Sequence, residues 1–362
     1  MCGDCCGASA GGAAEARAAG AGGGRKRGCV GTALALVALA AAAAVAVLEG
    51  TAGGVSYVGD GWLHECAKTL TGGACSCPTS LAPACPSSAP KRKGTDPDVA
   101  GRVALGLTVD APRGRLLIVY TDRIPRFGYS AVAAYELTSW RRLFLTRLDG
   151  PAAKKRQIIK FPRDNAHRLH CQRRLFLVRL DRPGDSTLAD DVAVDDEGNA
   201  YVTDAKGNKI WKVSPEGEPL SVIKNATFSQ RPGWINNLVG LNGIVYHPSG
   251  YLLVIHTSGG DLFKVDPKTG SVRVVEVKGS LKAGDGLALL SPARLWSPPA
   301  CRLVESDDDW ETAAVTGRYV GPAHRIGSSA TVKDGDVYIN HIIGFGLGKK
   351  THIISKAAFA PL

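Results

Sequence analysis

A short repeated pattern places the strongest limit on how this chain can fold. In each copy an apolar strand of about five residues ends at Asp or another turn residue, a Gly follows, and a second apolar strand begins. The clearest copy runs from Asp191 through Gly198 to Asp204, and related copies begin at Gly106, Gly243, Gly286 and Ser329. Apolar alternation with a period of two, broken by Gly-bounded turns, indicates β-strands rather than helices.

The spacing of the copies favours one architecture. Most copies start about 40–50 residues apart, which is the length of a four-stranded propeller blade. A β-sandwich also contains many short strands, but a repeated order of turns and strands at one period favours the propeller. We therefore predict an all-β fold, a six-bladed β-propeller over residues 62–362, with innermost strands that begin near Glu65, Gly106, Asp191, Gly243, Gly286 and Ser329.

Two stretches interrupt the pattern. Residues 69–94 are rich in Cys, Pro, Ser and Gly where the first blade should continue, and we predict that they do not form a normal blade. An altered reading frame and a disulfide-rich insertion both explain this stretch. Residues 139–184 widen one interval, and within them residues 173–181 nearly copy residues 141–149. A duplicated loop or translated non-coding sequence explains that second interruption.

The N-terminal region predicts export of the main domain. Residues 1–29 consist largely of Gly, Ala and Cys, a composition that cannot build a core, so we expect a disordered cytosolic tail. The basic residues 25–27 precede an uncharged run, residues 30–48, which is just long enough to cross a bilayer as a helix. By the positive-inside rule this helix would anchor the protein in a membrane with its main domain lumenal or extracellular. A cleaved signal peptide, which would make the protein secreted, and an organelle transit peptide remain alternatives.

Two other features bear on the same compartment. Cysteines cluster after the hydrophobic run, at Cys66, Cys75, Cys77 and Cys85. An oxidising compartment would pair them, although the sequence does not fix which cysteine pairs with which. Asn225 begins an Asn-Ala-Thr acceptor sequence, so a translocated domain would carry an N-linked glycan there.

The charge of the chain does not indicate a nucleic-acid partner. The formal net charge is +11, which at first suggests acidic partners. Basic residues, however, gather at residues 25–27, 91–93, 141–156 and 163–174, and the regular half of the chain mixes both signs. Because no face that combines aromatic and basic residues and no recognition motif is present, we predict no binding of nucleic acid.

The repeats resemble the senescence-marker/gluconolactonase family, the calcium-dependent lactonase and phosphotriesterase propellers, and within it most closely a plant branch. The phrases that carry the resemblance are residues 189–204, 241–250 and 284–288. The resemblance extends from about Trp62 to Leu362. Strictosidine-synthase-like propellers share similar phrasing, so the resemblance supports the fold more strongly than the activity.

The resemblance implies one divalent cation, Ca²⁺, held by oxygen ligands from the starts of innermost strands. The family's Glu before the first blade is matched by Glu65, and the Asn of its Asn-Gly phrase by Asn242. The Asp of its Asp-Gly phrase is matched by Asp285, the residue that the family pattern assigns to base or nucleophile chemistry. Asp190 stands where the family has Asn, which is a departure from the pattern. Because Asx-Gly is also ordinary turn chemistry, a purely structural role for Asn242 and Asp285 stays open.

Two functions follow as expectations. The first is a Ca²⁺-dependent hydrolase of the lactonase or esterase type, in which the cation polarises the bond of an unknown small molecule and a carboxylate takes a proton from water. The second is a non-catalytic, membrane-anchored lumenal propeller that binds a ligand or a protein. The two hypotheses differ in whether Glu65, Asp190, Asn242 and Asp285 converge on one ion.

Overall fold

A computed structural model describes residues 55–59, 64–70, 73–78, 96–122, 126–149, 186–229, 233, 235–298, 302–319, 326–343 and 350–362, with the backbone alone in the first three ranges. These residues belong to one compact unit, Ala52–Leu362. Residues 1–51, which include the predicted tail and the predicted span 30–48, are separate from this unit in the chain and lie outside the described residues. Within the described ranges, no helix is long and apolar enough to cross a membrane.

The described part of the chain is all-β. Its only helices are short 3₁₀ turns at Pro97–Val99, Ala111–Arg113, Ala226–Ser229 and Ile235–Asn237. The strands, in chain order, are β1 (Val55–Gly59), β2 (His64–Leu70), β3 (Gly73–Pro78), β4 (Val103–Asp110), β5 (Arg115–Thr121), β6 (Ser130–Glu136), β7 (Arg142–Arg147), β8 (Ala189–Val194), β9 (Ala200–Asp204), β10 (Lys209–Val213), β11 (Pro219–Lys224), β12 (Leu241–Tyr246), β13 (Leu252–His256), β14 (Asp261–Val265), β15 (Val272–Lys278), β16 (Ala288–Ser291), β17 (Arg294–Ser297), β18 (Arg302–Glu305), β19 (Thr312–Tyr319), β20 (Gly327–Lys333), β21 (Asp336–His341), β22 (Lys350–Lys356) and β23 (Phe359–Pro361).

Consecutive strands form antiparallel sheets. The strands β4–β7 and β8–β11 each make a four-stranded sheet. The strands β12–β15 and β16–β19 follow the same order, but their sheets are joined because β15 pairs in parallel with β19. The last sheet consists of β20, β21 and β22, and β1 from the N-terminal side of the unit completes it as the outer strand. The strands β2 and β3 form a two-stranded sheet.

The first strands of successive sheets pack beside one another. Strand β2 lies next to β4, β4 next to β8, and β8 next to β12, while β16 lies next to β20 and β20 returns to β2. Strand β12 meets the segment that leads into β16, because Gly243 lies against the backbone of Asp285 and Gly286. These contacts arrange the first strands around a common axis, as in a β-propeller.

The core fills the layers between neighbouring sheets. One cluster joins Leu117 of β5 to Val202 of β9 and Trp211 of β10, and the next joins Tyr201 of β9 to Phe263 of β14. Because sheets cover both of its faces, β5 is buried along its entire length. Its sequence therefore reads as a continuous apolar run rather than an alternation.

The observed strands agree with the positions of the repeated phrases. The predicted starts fall in the first strand of a sheet or directly before it, at Glu65, Gly106, Asp191, Gly243, Gly286 and Ser329. Residues 69–94 contain β3, a strand that the sequence pattern did not indicate, because its small Gly, Ala, Cys and Ser residues give no apolar contrast. Residues 79–94 and 150–184 lie outside the described residues, whereas 141–149 includes β7, the fourth strand of its sheet.

Candidate functional site

The predicted ligand Asp190 lies in a β-bulge at the start of β8. Pairing with β9 shifts register between Ala189 and Val192, so that Asp190 and Asp191 together lie opposite a single residue, Thr203. A bulge bends its strand and redirects the side chains within it. Both carboxylates are nevertheless buried, since Asp190 is 5% exposed and Asp191 is 8% exposed.

The same irregularity recurs around two other predicted ligands. In β12 the register shifts between Leu241 and Ile244, and Asn242 lies within the shift. Asn242 is 6% exposed. In β2 the register shifts around Glu65, of which the structure describes the backbone. Three of the four predicted ligands thus occupy one structural position, the bulge at the start of a first strand.

Asp191, which the sequence analysis did not identify as a ligand, fixes two of these bulges relative to each other. Its carboxylate accepts hydrogen bonds from the backbone N–H of Val192 at 2.9 Å and of Ile244, in the next sheet, at 3.2 Å. Its own N–H donates to Thr203 Oγ1 at 3.0 Å, and the Thr203 hydroxyl donates to the carbonyl of Asn242 at 2.6 Å. Asp190 and Asn242 are therefore held in place by adjoining backbone rather than by a flexible loop.

Asp285 is held beside the bulge of β12. Its N–H donates to the carbonyl of Pro298 at 2.7 Å, and the N–H of Gly286 donates to the carbonyl of Ser328 at 3.3 Å. A Cβ at Gly243 would lie 2.3 Å from the Asp285 carbonyl oxygen, so only Gly permits this approach. Asp285 itself is half-buried, and water can therefore reach part of its surface.

The remaining first strands carry other residues in the corresponding bulges. In β4 the position is taken by Gly106, where an added Cβ would lie 2.4 Å from the Cα of Asp191. In β20 it is taken by Ser328, whose hydroxyl accepts a hydrogen bond from the side chain of Asn340 at 3.1 Å. Sequence reasoning missed Ser328, and the one available signal was its place directly before Ser329, where the repeated phrase begins.

A buried polar network continues in the last sheet. The Nε2 atom of His341 lies 2.8 Å from Ser355 Oγ, which also lies 2.6 Å from the Tyr319 hydroxyl. His341 and Asn340 are 0% and 1% exposed. The network therefore supports the backbone around Ser328. Because His341 and Asn340 are buried, a substrate cannot contact them.

A second polar cluster lies at the start of β4, where Arg102 directly precedes β4 and Tyr129 directly precedes β6. The guanidinium groups of Arg102 and Arg147 both lie over the Tyr129 ring, 4.0 and 4.1 Å from its centroid. Burial raises the pKa of the Tyr129 phenol, and the two arginines oppose that rise. The phenol consequently stays protonated at neutral pH.

The donor set suits a hard cation. Carboxylate and amide oxygens are the ligands that Ca²⁺ prefers, and Asp190, Asn242 and Asp285 supply both kinds. Among the side chains that the structure describes, no group of three or more His, Cys, Asp and Glu could hold a metal ion. The four predicted ligands do not form such a group. Asn242 is an amide, and the side chain of Glu65 lies outside the part of the chain that the structure describes.

Comparisons with known proteins show no family. No family model matches the chain, and no curated protein matches it. The major Malassezia sympodialis allergen Mala s 1 is 14% identical, with a TM-score of 0.47, over 74% of this chain and 81% of that one. The WD40 repeats of RRP9 are 11% identical, with a TM-score of 0.46, over 79% and 76%. Selenomethionine-substituted virginiamycin B lyase from Staphylococcus aureus is 10% identical, with a TM-score of 0.44, over 83% and 98%. Likeness at this level carries no argument about activity.

Proposed function

We propose that residues 62–362, completed by β1 at Val55–Gly59, form a closed propeller of six blades around a central channel. The proposal is supported by the cyclic order of contacts between first strands, from β2 through β20 and back to β2, with the step from β12 to the segment before β16 made by Gly243 against Asp285 and Gly286. It is also supported by β1, which completes the final sheet from the other end of the unit and so joins the two ends of the ring. The two-stranded sheet β2–β3 takes the place of the first blade.

The proposed site is a divalent cation site at the end of the channel where the first strands begin. Its ligands would be Glu65, Asp190, Asn242 and Asp285, and its cation Ca²⁺. The observation that carries the proposal is the shared position of these residues in or beside the strand-start bulges of neighbouring first strands. Asp190 in place of an Asn adds negative charge, which would tighten cation binding while reducing the Lewis acidity of the bound ion.

The proposed activity is hydrolysis of a small lactone or ester. A bound cation would supply polarisation of the carbonyl or phosphoryl oxygen that is attacked. Asp285 would remove a proton from the attacking water, as a general base. Its backbone is anchored through the carbonyl of Pro298, and its half-exposed position leaves it open to water.

An assay of the purified full chain tests this activity. Aryl esters, lactones and phosphotriesters would be offered with Ca²⁺ and again after chelation. We expect hydrolysis that requires Ca²⁺ and that falls by a factor of about 10²–10⁴ in Asp285→Asn. Asp266→Asn is the matched control, because Asp266 lies in the turn between β14 and β15 at the opposite end of the strands. Absence of Ca²⁺-dependent hydrolysis across the panel would argue against an enzyme.

The second candidate is a non-catalytic binding module. It is favoured by Asp190 at a position where the family pattern has Asn, because the added charge would reduce the Lewis acidity of a bound ion. In this case the chain would bind Ca²⁺ or another ligand without turnover of any ester. Cation binding without hydrolysis would therefore decide for the module.

The proposed location is the lumenal or extracellular face of a membrane. Residues 30–48 would be the anchor, or a signal segment that is removed on secretion, and the small-molecule substrate would be met outside the cytosol. This placement is supported by the basic residues 25–27 on the N-terminal side of the apolar run.

A further inference from the structure

The smallest sheet of the protein contains two cysteines at matching positions. In the pairing of β2 with β3, Cys66 lies opposite Cys77 and Lys68 lies opposite Cys75. Positions two residues apart on a strand share a face of the sheet. Cys66, Cys75 and Cys77 therefore occupy one face, with Cys77 directly across from Cys66 and Cys75 on the diagonal.

The register predicts different Cα–Cα distances from Cys66 to its two candidate partners, Cys77 and Cys75. Directly opposed residues of an antiparallel pair have Cα atoms about 4.5–5.5 Å apart. A disulfide needs Cα atoms roughly 4.4–6.8 Å apart, whereas diagonal neighbours lie about 7–8 Å apart. We propose that Cys66 and Cys77 form a disulfide bond and that Cys75 does not take part in it.

Formation of this bond follows ordinary thiol–disulfide exchange. One of the two thiolates attacks an external disulfide of the glutathione or oxidoreductase class, which forms a mixed disulfide and releases one external thiolate. The second protein thiolate then displaces the other external thiolate and closes the Cys66–Cys77 bond. Two protein thiols thus lose two electrons and two protons, and one external disulfide becomes two thiols.

The bond would stabilise the one sheet that most needs it. The sheet β2–β3 has two strands in the described residues, while every other sheet has at least four, and an isolated two-stranded sheet is marginally stable. Cys66 directly follows Glu65, and β2 packs between β4 and β20. A disulfide here would therefore hold the start of β2 in the ring of first strands.

Peptide mapping of the oxidised full chain tests the pairing. Combined digestion after Lys, Arg and Glu releases Cys66-Ala67-Lys68 and separates it from Cys29. We expect this tripeptide to be linked to residues 69–91, with fragment ions that place the bond on Cys77. A free Cys66, or a bond from Cys66 to Cys75 or Cys85, overturns the proposal.

Three matched variants test the consequence for stability. Reduction should lower the Tm of the wild type by roughly 5 °C, and Cys75→Ser should respond in the same way. Cys66→Ser and Cys77→Ser should show no response of the Tm to reductant. A Cys77→Ser protein as sensitive to reductant as the wild type contradicts the proposal. These results do not depend on Ca²⁺ binding, so they stand or fall separately from the proposed site.

Discussion

Arg115 illustrates how single buried charges hold neighbouring sheets together. Its guanidinium pairs with Asp110 at 2.8 Å, and both side chains are less than 5% exposed. The same group donates to the carbonyls of Gly198 at 2.7 Å and Pro215 at 2.5 Å, which belong to the following sheet. A buried charge is tolerated because its hydrogen bonds replace those to water.

The first prediction removes this charge. Arg115→Met removes the closer of the two guanidinium groups that pair with the buried Asp110 carboxylate and leaves Arg113, at 3.3 Å. It should lower the free energy of unfolding by about 3 kcal/mol. The control is Arg273→Met, because Arg273 pairs with Glu311 at the surface, where its side chain is 61% exposed. That change should lower the free energy of unfolding by about 1 kcal/mol or less. Urea denaturation of both variants measures the difference, and equal losses would show that the buried pair has no special role.

The second prediction concerns acid. Asp308 accepts hydrogen bonds from the Thr312 hydroxyl at 2.7 Å and from the Thr312 N–H at 2.9 Å, and they lower the pKa of its carboxyl to about 2. A carboxyl whose pKa is lower in the folded state stabilises the fold above its unfolded pKa, and this contribution is lost as pH falls through about 2. The Tm advantage of the wild type over Asp308→Asn should therefore shrink between about pH 4 and pH 2. An advantage that stays constant over that window would be inconsistent with the lowered pKa.

At the scale of secondary-structure elements, glycine determines how closely the first strands approach. Gly106 and Gly243 lie at the starts of β4 and β12, and each faces backbone atoms of the next sheet. A side chain at either position would separate two first strands. The repeated phrase thus carries a Gly for two different reasons, turn geometry after the strand and close packing at its start.

The third prediction tests that close packing. In Gly243→Ala the new Cβ would lie 2.3 Å from the Asp285 carbonyl oxygen and 2.7 Å from the Gly286 carbonyl carbon, both of which are backbone atoms. Because backbone cannot turn aside as a side chain can, we expect a loss of about 1–3 kcal/mol in the free energy of unfolding. Gly128→Ala is the control, since its Cβ would meet only the Asp122 side chain at an ordinary 3.5 Å. Thermal or urea denaturation that ranks the two variants equally would refute this role for Gly243.

Much of the fold could be predicted from the sequence, and less of the site. The turn phrases located the first strands because Asp and Gly at fixed offsets have few alternatives to a tight turn. The bulges could not be located, since a shift of register depends on contacts with the next sheet, as the Asp191 bond to Ile244 shows. For the same reason the family pattern singled out Asp190, whereas the role of Asp191 in linking two sheets could not be predicted from the sequence.

The parallel pairing of β15 with β19 was also beyond prediction from the sequence. It joins Glu276–Lys278 to residues 312–314, which belong to successive sheets and are not neighbours in the chain. Both strands are outer strands, and their exposed edges meet only because the two sheets are placed side by side. A strand pattern shows where strands are but not which outer edges come together.

At the scale of the whole molecule, the proposals connect compartment, fold and site. An exported domain would be oxidised, glycosylated and supplied with millimolar Ca²⁺, and the proposed cation site and disulfide both suit such a compartment. Asn225 is half-buried after β11, and its side-chain carbonyl accepts the N–H of Thr227 at 3.0 Å.

The fourth prediction tests export. The full chain expressed in a secretory cell should carry a glycan on Asn225, visible as a mass shift that a glycosidase removes. Asn225→Gln and Thr227→Ala should each abolish the shift, because both destroy the acceptor sequence. In sealed microsomes the domain should resist protease until detergent is added. An unglycosylated domain that protease digests without detergent would place it in the cytosol instead.

The most direct test of the central claim is a calorimetric titration of Ca²⁺ into the full chain. The proposed site predicts one bound Ca²⁺ per chain, with an affinity that falls roughly tenfold or more in Asp285→Ala, because a charged ligand is lost. Asp266→Ala, which removes a carboxylate from the turn between β14 and β15, should bind as the wild type does. Saturable binding that depends on Asp285 and not on Asp266 is the result we predict. No heat of binding in the wild type, or equal binding in all three proteins, would contradict a cation site on the ring of first strands.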